Sequence, residues 1–550
     1  MKIWTYPVLF LTILWTCQNS EDHSPDKIIF NVKVWSERII PGDAVSIQAD
    51  TIVRVGRWDD MKTLAGATTE LIDGQGGLLI PGFIDSHVHL RDGAQSLISV
   101  QLRDASTPAE FIRKLGEFAK GRDSSLWILG GVWNHELWGG ELPSRHWIDS
   151  VTGMIPVFVN RLDGHMALAN SAAIKLAGLA LDDLHLFVEG GDIIRDMNGL
   201  MTGIFKDNAM DLIYRSIPAL PASMEDLGLD SAQNYLLRHG VTSVHHMGTW
   251  HDVLWFEKAK REGRLDLRIY ACTPLAEWDQ LAKRLAVEGQ GDAWLKVGGL
   301  KGFMDGSLGS HTASFFEDYI DKKRDKGFLI NTEENMSSWI TAADSAGLQC
   351  VIHAIGDRAN HLLLNIFESL DSLNGPRDRR YRIEHAQHLK AEDIQRIGQL
   401  SIIPSMQPYH AIDDGCWAEK LIGSDRCKTT YAFRSMLDAG ATLAFGSDWY
   451  VAPADPLAGI AAAVHRQTLD GKHTEGWYPE QKITVEEALR AYTVNAAYSV
   501  FEEGMKGQIK TGYLADLVLL SQDILQPQVD IDQAQILWTM VGGMIKYQLH

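Results

Sequence analysis

Eight apolar segments, each ending in polar or glycine-rich residues, most strongly constrain the fold of this 550-residue chain. Polar helical sequence separates most of them, and alternation of strands with helices favours a parallel sheet. Eight such units predict an α/β fold, a closed (β/α)₈ barrel, in which active-site residues lie at the carboxyl ends of the strands. The segments are LIPGFIDSHVH, GVTSVHHMG, DLRIYACT, LKGFMDGS, LQCVIHAIGD, YRIEHAQ, SIIPSMQP and ATLAFGSDW.

Two parts of the chain do not fit a simple barrel. Short β-like runs with turn signals fill residues 27–80 and recur in residues 505–550, which predicts one β-sandwich formed by both termini beside a barrel of residues 81–504. The stretch from about residue 95 to 238, between the first two barrel segments, is too long for an ordinary connection. We therefore expect an inserted subdomain after barrel strand 1.

The first 17 residues have the pattern of a bacterial export signal. Lys2 precedes a short apolar run, and polar, acidic residues follow Cys17. The run is short for a membrane-spanning helix, which needs roughly 20 residues. Cys17 directly after it resembles a lipoprotein signal, although Trp15 departs from the usual small residues. We expect an exported protein, periplasmic or attached to the membrane through lipidated Cys17; a plain cleaved signal and an uncleaved anchor are the alternatives.

Charge and cysteine content narrow the choice of partners. The chain has 51 Lys and Arg against 71 Asp and Glu, a net charge of −20, which disfavours binding to nucleic acid. We therefore expect a small-molecule substrate and leave a homodimer open. An exported protein can form disulfides, but the sequence does not choose between pairing and buried free thiols. The cysteines after Cys17 are Cys272, Cys350, Cys416 and Cys427.

Histidines at the predicted strand ends indicate metal chemistry. His87 and His89 lie two positions apart, so a strand would place both side chains on one face. His353, His385 and Asp448 end the fifth, sixth and eighth segments, and barrel closure brings strand ends together. Four imidazoles and one carboxylate suit Zn²⁺ or a similar divalent metal. The alternative is that the histidines satisfy polar groups in the core.

Lys301, in the fourth segment, is a candidate to bridge two metal ions. A protonated lysine cannot bind a cation, but carboxylation of Nζ by CO₂ converts it into a bidentate anion. The site would then hold one or two metals per chain. An ordinary salt bridge between Lys301 and Asp305 is the alternative.

Eight stretches of the sequence match a known family in its order: PGFIDSHVH, RLDGHMALANS, LKGFMDGSLGSHTA, VIHAIGDRA, RIEHAQ, SMQPYH, AFGSDW and KGQIKTGYLADLVLL. In these stretches the chain resembles the amidohydrolase superfamily, in its amidohydrolase family 3 branch of YtcJ-like metal-dependent hydrolases, and is similar to N-substituted formamide deformylases. The resemblance covers nearly everything after the signal and implies a (β/α)₈ barrel flanked by a β-sandwich. It also implies that His87 and His89 bind one metal, that His353 and His385 bind the other, that carboxylated Lys301 bridges them, and that Asp448 ligates the first.

These groups predict hydrolysis of an amide-type C–N bond. A metal lowers the pKa of bound water to about 7 and so supplies hydroxide near neutral pH. Asp448 is the predicted catalytic residue, which accepts the proton of the water and returns it to the leaving nitrogen. We expect an N-acyl or N-formyl substrate. A deaminase or a cyclic amide or ester hydrolase using the same site is the alternative within enzymes, and a non-catalytic surface lipoprotein or regulator is the alternative outside them.

Four further residues are candidates to contact the substrate. His165 and Arg161 lie in RLDGHMALANS, in the predicted insertion, and a guanidinium matches the geometry of a substrate carboxylate. Gln407 and His410 follow the seventh segment, at the carboxyl end of a barrel strand. For His165 a structural role, and for Arg161 an ordinary ion pair, are the alternatives.

Overall fold

The computed structural model describes residues 24–97, 99–123, 126–218 and 222–549, and an eight-stranded parallel sheet is its central feature. Each strand pairs with the next in sequence, and a parallel bridge between Val88 and Trp449 joins the last strand region to the first. The predicted (β/α)₈ barrel is therefore confirmed. Its strands are β1 (Phe83–Val88), β2 (Val241–Met247), β3 (Arg268–Pro274), β4 (Leu295–Phe303), β5 (Gln349–Ala354), β6 (Arg382–His385), β7 (Ile403–Met406) and β8 (Ala444–Phe445).

Burial explains why these segments form barrel strands. Every residue of β2 and of β5 is buried, as expected for parallel strands with an interior core on one face and helices on the other. Helices and loops connect the carboxyl end of each strand to the start of the next. The helices of this outer layer are Ala222–Arg238, Trp250–Arg261, Trp278–Glu288, Glu333–Ser345, Asp357–Asn374, Ala391–Gln399, Pro408–Asp414, Ala418–Ile422, Ser424–Cys427, Phe433–Asp438, Pro456–His465, Val485–Ala491 and Val494–Tyr498.

Strands from both ends of the chain form the predicted flanking sheets. In a six-stranded sheet, Leu517–Leu520 pairs antiparallel with Leu78–Pro81, which ties the carboxyl-terminal segment to the strand just before the barrel. Ile29 and Val45, from a four-stranded sheet, pack in one apolar cluster with Trp538 of the first sheet. The other strands of the two sheets are Lys27–Phe30, Lys33–Ser36, Arg38–Ile39, Ala44–Gln48, Thr51–Gly56, Glu70–Asp73, Ile536–Val541 and Met544–Gln548.

The insertion after β1 has a sheet and a core of its own. Its core contains Phe111, Trp133 and Ile148, and its sheet ends at Asp207. Helix Ala222–Arg238, inside the predicted range of 95–238, packs instead in the barrel cluster through Leu229 and other apolar residues. The strands of the insertion are Val100–Gln101, Gly130–Trp133, Phe158–Arg161, Met166–Ala169, Gly191–Arg195 and Met201–Asp207, and its helices are Pro108–Ala119, Arg145–Thr152, Ser171–Leu176 and Asp211–Tyr214. The remaining helices are Trp58–Met61 and Leu90–Leu97.

The export prediction concerns residues 1–17, which lie outside the described residues, so it stays a prediction, as do the numerical domain boundaries. Within the described ranges, no helix is both long and apolar enough to cross a membrane. All four cysteines of this part of the chain are free. Cys272, Cys350 and Cys427 are buried, which agrees with the interpretation as buried thiols.

Candidate metal centre

Three side chains from distant parts of the sequence converge at the carboxyl end of the barrel. His87 comes from β1, His385 ends β6, and Asp448 follows β8, and one ligand atom from each lies within 4.8 Å of the other two. All three residues are buried. The backbones of His385 and Asp448 have φ values of 72° and 58°, a left-handed conformation that costs free energy and clusters at functional sites. Barrel closure therefore creates a compact cluster of metal-ligand type.

The other predicted ligands surround this cluster. His89 Nε2 lies 3.3 Å from Asp448 Oδ1. Lys301 Nζ lies 3.3 Å from His87 Nε2, and the ring centroid of His353 lies 4.5 Å from that of His385. The fold thus brings together all six residues that the sequence singled out, although their roles as ligands stay a prediction.

Hydrogen bonds fix one nitrogen of three imidazoles and leave the other for a ligand. His87 Nδ1 lies 2.5 Å from Glu384 Oε2, and His385 Nδ1 lies 2.8 Å from Gln407 Oε1. His353 Nε2 donates to the Gly306 carbonyl oxygen at 3.0 Å. Because these oxygens accept, the opposite ring nitrogens carry lone pairs. This is the usual arrangement of histidines that bind metals.

The carboxylate group of Asp448 shows most directly whether a cation fits this site. Its buried Oδ1 has no hydrogen-bond partner among the described residues, although His89 Nε2 and His87 Nε2 approach it to 3.3 and 3.5 Å. A buried carboxylate oxygen without a partner is costly, and a divalent cation between it and the imidazole nitrogens would remove that cost. Nitrogen and carboxylate donors also suit Zn²⁺. The residues present therefore fit a divalent metal.

Electrostatics keep the candidate ligands in the states that bind cations. Burial lowers the pKa of His385 to about 3, and burial together with Lys301 lowers the pKa of His87 well below its usual range, so both rings are neutral near pH 7. Burial alone would raise the pKa of Asp448, but nearby His89 and His385 lower it overall, so Asp448 is ionised. Burial also lowers the pKa of Lys301 to about 8.

A buried ion pair beneath the cluster was missed by sequence reasoning. Glu384, which bonds His87 Nδ1, also accepts from Arg382 Nε at 2.8 Å, and both side chains are fully buried. Arg382 also donates to the Ser86 carbonyl oxygen and to Ser405 Oγ, which links three barrel strands. The sequence does contain a signal that could have revealed this pair, namely two opposite charges that lie two positions apart in a predicted buried strand.

Two buried aspartates hold the loops that carry the ligands. Asp85 accepts hydrogen bonds from the backbone N–H and the hydroxyl of Ser447, the residue before Asp448. Asp305 accepts from the N–H groups of Ser314, Ile355 and Gly356 at 2.7 to 2.9 Å. Burial raises the pKa of each aspartate to about 7.

Of the described ion pairs, none joins Asp305 to Lys301, so the alternative of a Lys301–Asp305 salt bridge was wrong.

Two of the predicted substrate residues are held by protein partners. Arg161 is fully buried, and its Nη1 donates to Asp163 Oδ2 at 2.8 Å. Gln407 is also buried and accepts from His385, so in this structure it orients a candidate ligand. The bond between Arg161 and Asp163 depends on a local turn, and the bond between His385 and Gln407 depends on a contact between the ends of two strands. The spacing of these residues in the sequence reveals neither bond.

His165 and His410, the other two, line the cavity beside the cluster. The ring centroid of His165 lies 4.8 Å from that of His353, and its Nδ1 lies 2.6 Å from Asp207 Oδ1. Burial alone would lower the pKa of His165, but Asp207 raises it overall. The ring of His410 lies parallel to that of His385, with centroids 6.4 Å apart.

A parallel barrel with a buried His–His–Asp cluster at its carboxyl end defines a metal-dependent hydrolase type of site. Residues 70–547 match the Amidohydrolase family, and the chain belongs to that family. The family resemblance predicted from sequence is thereby confirmed.

The chain is also similar to two named proteins and to one solved structure. The chain is 38% identical over 537 residues to Protein LONG AFTER FAR-RED 3 of Arabidopsis thaliana, covering 95% of this chain and 91% of the relative. It is 26% identical over 546 residues to N-substituted formamide deformylase of Arthrobacter pascens, covering 94% and 97%. A crystal structure of a metal-dependent hydrolase from Pyrococcus furiosus matches with 28% identity and a TM-score of 0.72, covering 91% of this chain and all of the other.

Replacing Glu384 by Gln tests how the candidate site holds a metal. The change removes the charge that orients His87, so we expect Zn²⁺ affinity to fall about 10- to 100-fold. Competition with a chromophoric chelator measures the dissociation constant. Glu392→Gln, at a mostly exposed side chain on a surface helix, is the control and should leave affinity unchanged. Equal affinities in the two variants would show that Glu384 does not support the site.

Proposed function

We propose that this protein is a metal-dependent amidohydrolase that cleaves the C–N bond of a small N-acyl or N-formyl compound. The buried cluster of His87, His385 and Asp448, with one carboxylate oxygen left without a hydrogen-bond partner beside a cavity, carries the proposal. The name of the Arthrobacter relative, N-substituted formamide deformylase, supports the choice of bond.

The proposed metal is Zn²⁺, with one or two ions per chain. His87, His89 and Asp448 would hold one ion, and His353 with His385 would hold a second. A bound divalent cation polarises a carbonyl group and lowers the pKa of water.

Asp448 is the proposed catalytic acid–base. It is ionised, buried and at the cavity wall, so it can accept a proton from the attacking water. The protonated carboxyl group can then donate that proton to the leaving nitrogen, which restores the starting state.

His165 is the proposed donor to the substrate carbonyl oxygen. Asp207 accepts a hydrogen bond from its Nδ1 and stabilises the protonated ring, and no hydrogen bond of Nε2 is found in the described part of the chain, so Nε2–H can donate to the substrate. A donor that is already oriented stabilises the negative charge that develops on this oxygen during attack.

Lys301 is the proposed site of carboxylation. Its side chain is buried, and no carboxylate among the described residues lies within 4.0 Å of Nζ. The uncharged amine would attack CO₂, form an N–C bond and release one proton, giving a carbamate anion. Such an anion beside His87 would bind cations that the protonated amine repels.

Replacing Asp448 by Asn tests the proposed acid–base role. The amide keeps the shape of the side chain but cannot accept a proton, so we expect turnover of N-formyl and N-acyl amines to fall at least about 100-fold. The assay is product release by metal-loaded enzyme, with metal content measured on the same samples. Substantial turnover by Asp448→Asn would refute the role, and products other than an amine and an acid would indicate a different bond.

Replacing Lys301 by Ala tests the carbamate. Loss of the bridging anion should lower metal content and activity, and added short-chain carboxylic acids should restore part of both. Lys296→Ala is the matched control, because Lys296 Nζ donates to the Val500 carbonyl oxygen away from the cluster. Unchanged metal content and activity in Lys301→Ala would contradict the assignment.

We also propose that the protein is exported and attached to the membrane through lipidated Cys17. The support is the amino-terminal sequence pattern alone. Labelled palmitate should be incorporated into the wild-type protein and not into Cys17→Ala. Equal labelling of the two proteins would exclude this attachment.

A further inference from the structure

Three aspartates and one arginine line one side of the cavity beside the candidate metal centre. We call this region the Trp417 chamber and define it by Arg161, Asp163, His410, Asp413, Asp414 and Trp417. The same cavity is lined by His353, His385 and Asp448, so a molecule in the chamber lies beside the proposed reaction centre.

The one guanidinium of the chamber is already neutralised. Arg161 Nη1 donates to Asp163, and its Nε lies 3.2 Å from His135 Nδ1. Asp163 in turn accepts from the hydroxyl groups of Ser307 and Ser310. This pair therefore has no net charge, and Arg161 has no unoccupied fork with which to bind a substrate carboxylate.

The two neighbouring aspartates differ in their partners. Asp414 accepts hydrogen bonds from Tyr431 at 2.6 Å and Gln387 at 2.8 Å. Asp413 is half-buried, and no hydrogen bond or ion pair among the described residues involves its carboxylate. The positive charge of Arg103 acts on Asp413 and lowers its pKa, but the guanidinium donates to the carbonyl oxygens of Tyr450 and Val451 and forms no ion pair with Asp413 among the described residues.

Local helix geometry explains why Asp413 lines the cavity. Helix Pro408–Asp414 begins directly after Gln407, at the carboxyl end of β7. His410 and Asp413 are three positions apart, so they lie on the same face of this helix. Trp417 follows four positions later, close enough to Arg161 for its ring to lie 5.8 Å from the guanidinium carbon.

An organic cation is the ligand that this chamber fits. A carboxylate without a counter-ion favours an ammonium group, and an adjacent indole ring adds attraction for cations. Burial raises the pKa of Asp413 overall, although the charge of Arg103 opposes this shift, and an ammonium group bound directly to the carboxylate would lower the pKa further.

We infer that Asp413 is a specificity-determining residue and that the preferred substrates are N-acyl or N-formyl compounds with a protonated amine at the far end. That the bound ligand is also a substrate rests on the proposed function. The ammonium group would pair with Asp413 beside Trp417 while the scissile carbonyl lies at the metal cluster.

Equilibrium binding tests this inference without turnover. Calorimetry on the zinc-loaded protein compares hexylammonium with hexanol, which has the same chain and no charge. We expect wild-type protein to bind hexylammonium about 10- to 100-fold more tightly, and Asp413→Asn to lose that preference. Asp413→Glu, which keeps the charge, should retain a preference. Asp425→Asn is the control, because Asp425 is exposed and pairs with Lys428.

Hydrolysis separates the inference from the proposed function. N-formylcadaverine carries the terminal ammonium, and N-formylhexylamine has a methyl group in its place. Asp413→Asn should reduce kcat/KM about 10- to 100-fold for the first compound and leave the second nearly unchanged. If neither compound is hydrolysed but the binding preference holds, the proposed function fails and the chamber assignment stands. No preference in the wild type, or the same preference in Asp413→Asn, would overturn the assignment.

Discussion

Closure of the eight-stranded sheet is the constraint on which the rest of the structure depends. The bridge between Val88 and Trp449 joins residues 361 positions apart and places His87 beside Asp448. Asp85 strengthens the same junction by binding Ser447. Without this closure His87 and Asp448 would lie at opposite edges of an open sheet, and the cluster would not form.

The site also depends on a buried ion pair that positions a histidine. Removing two charges from water is expensive, and Arg382 and Glu384 offset that cost only through good mutual geometry and further hydrogen bonds. Such a pair adds little to the net stability of the fold, but it does orient a side chain. Glu384 holds Nδ1 of His87 and so fixes which ring nitrogen faces the cluster.

Much of the fold was predictable from sequence, because strand–helix alternation and the strand-end histidines are local patterns. The barrel, the flanking sheets and the insertion are confirmed. The partners within the site were less predictable, because they depend on contacts between distant elements. Gln407 bonds His385, and Glu384 bonds His87, a residue 297 positions away. The carboxylate of Asp413, which has no hydrogen bond or ion pair within the described ranges, was missed, because the sequence does not show which charges find partners.

Metal content is the most direct test of the central claim, that the converged histidines and Asp448 form a metal-binding hydrolase site. The measurement is elemental analysis of full-length protein produced with added zinc and dialysed against metal-free buffer. The account predicts one to two divalent ions per chain, lost together when His87 and His385 are replaced by Ala. Wild-type protein without stoichiometric metal, or full metal content in that double variant, would contradict it.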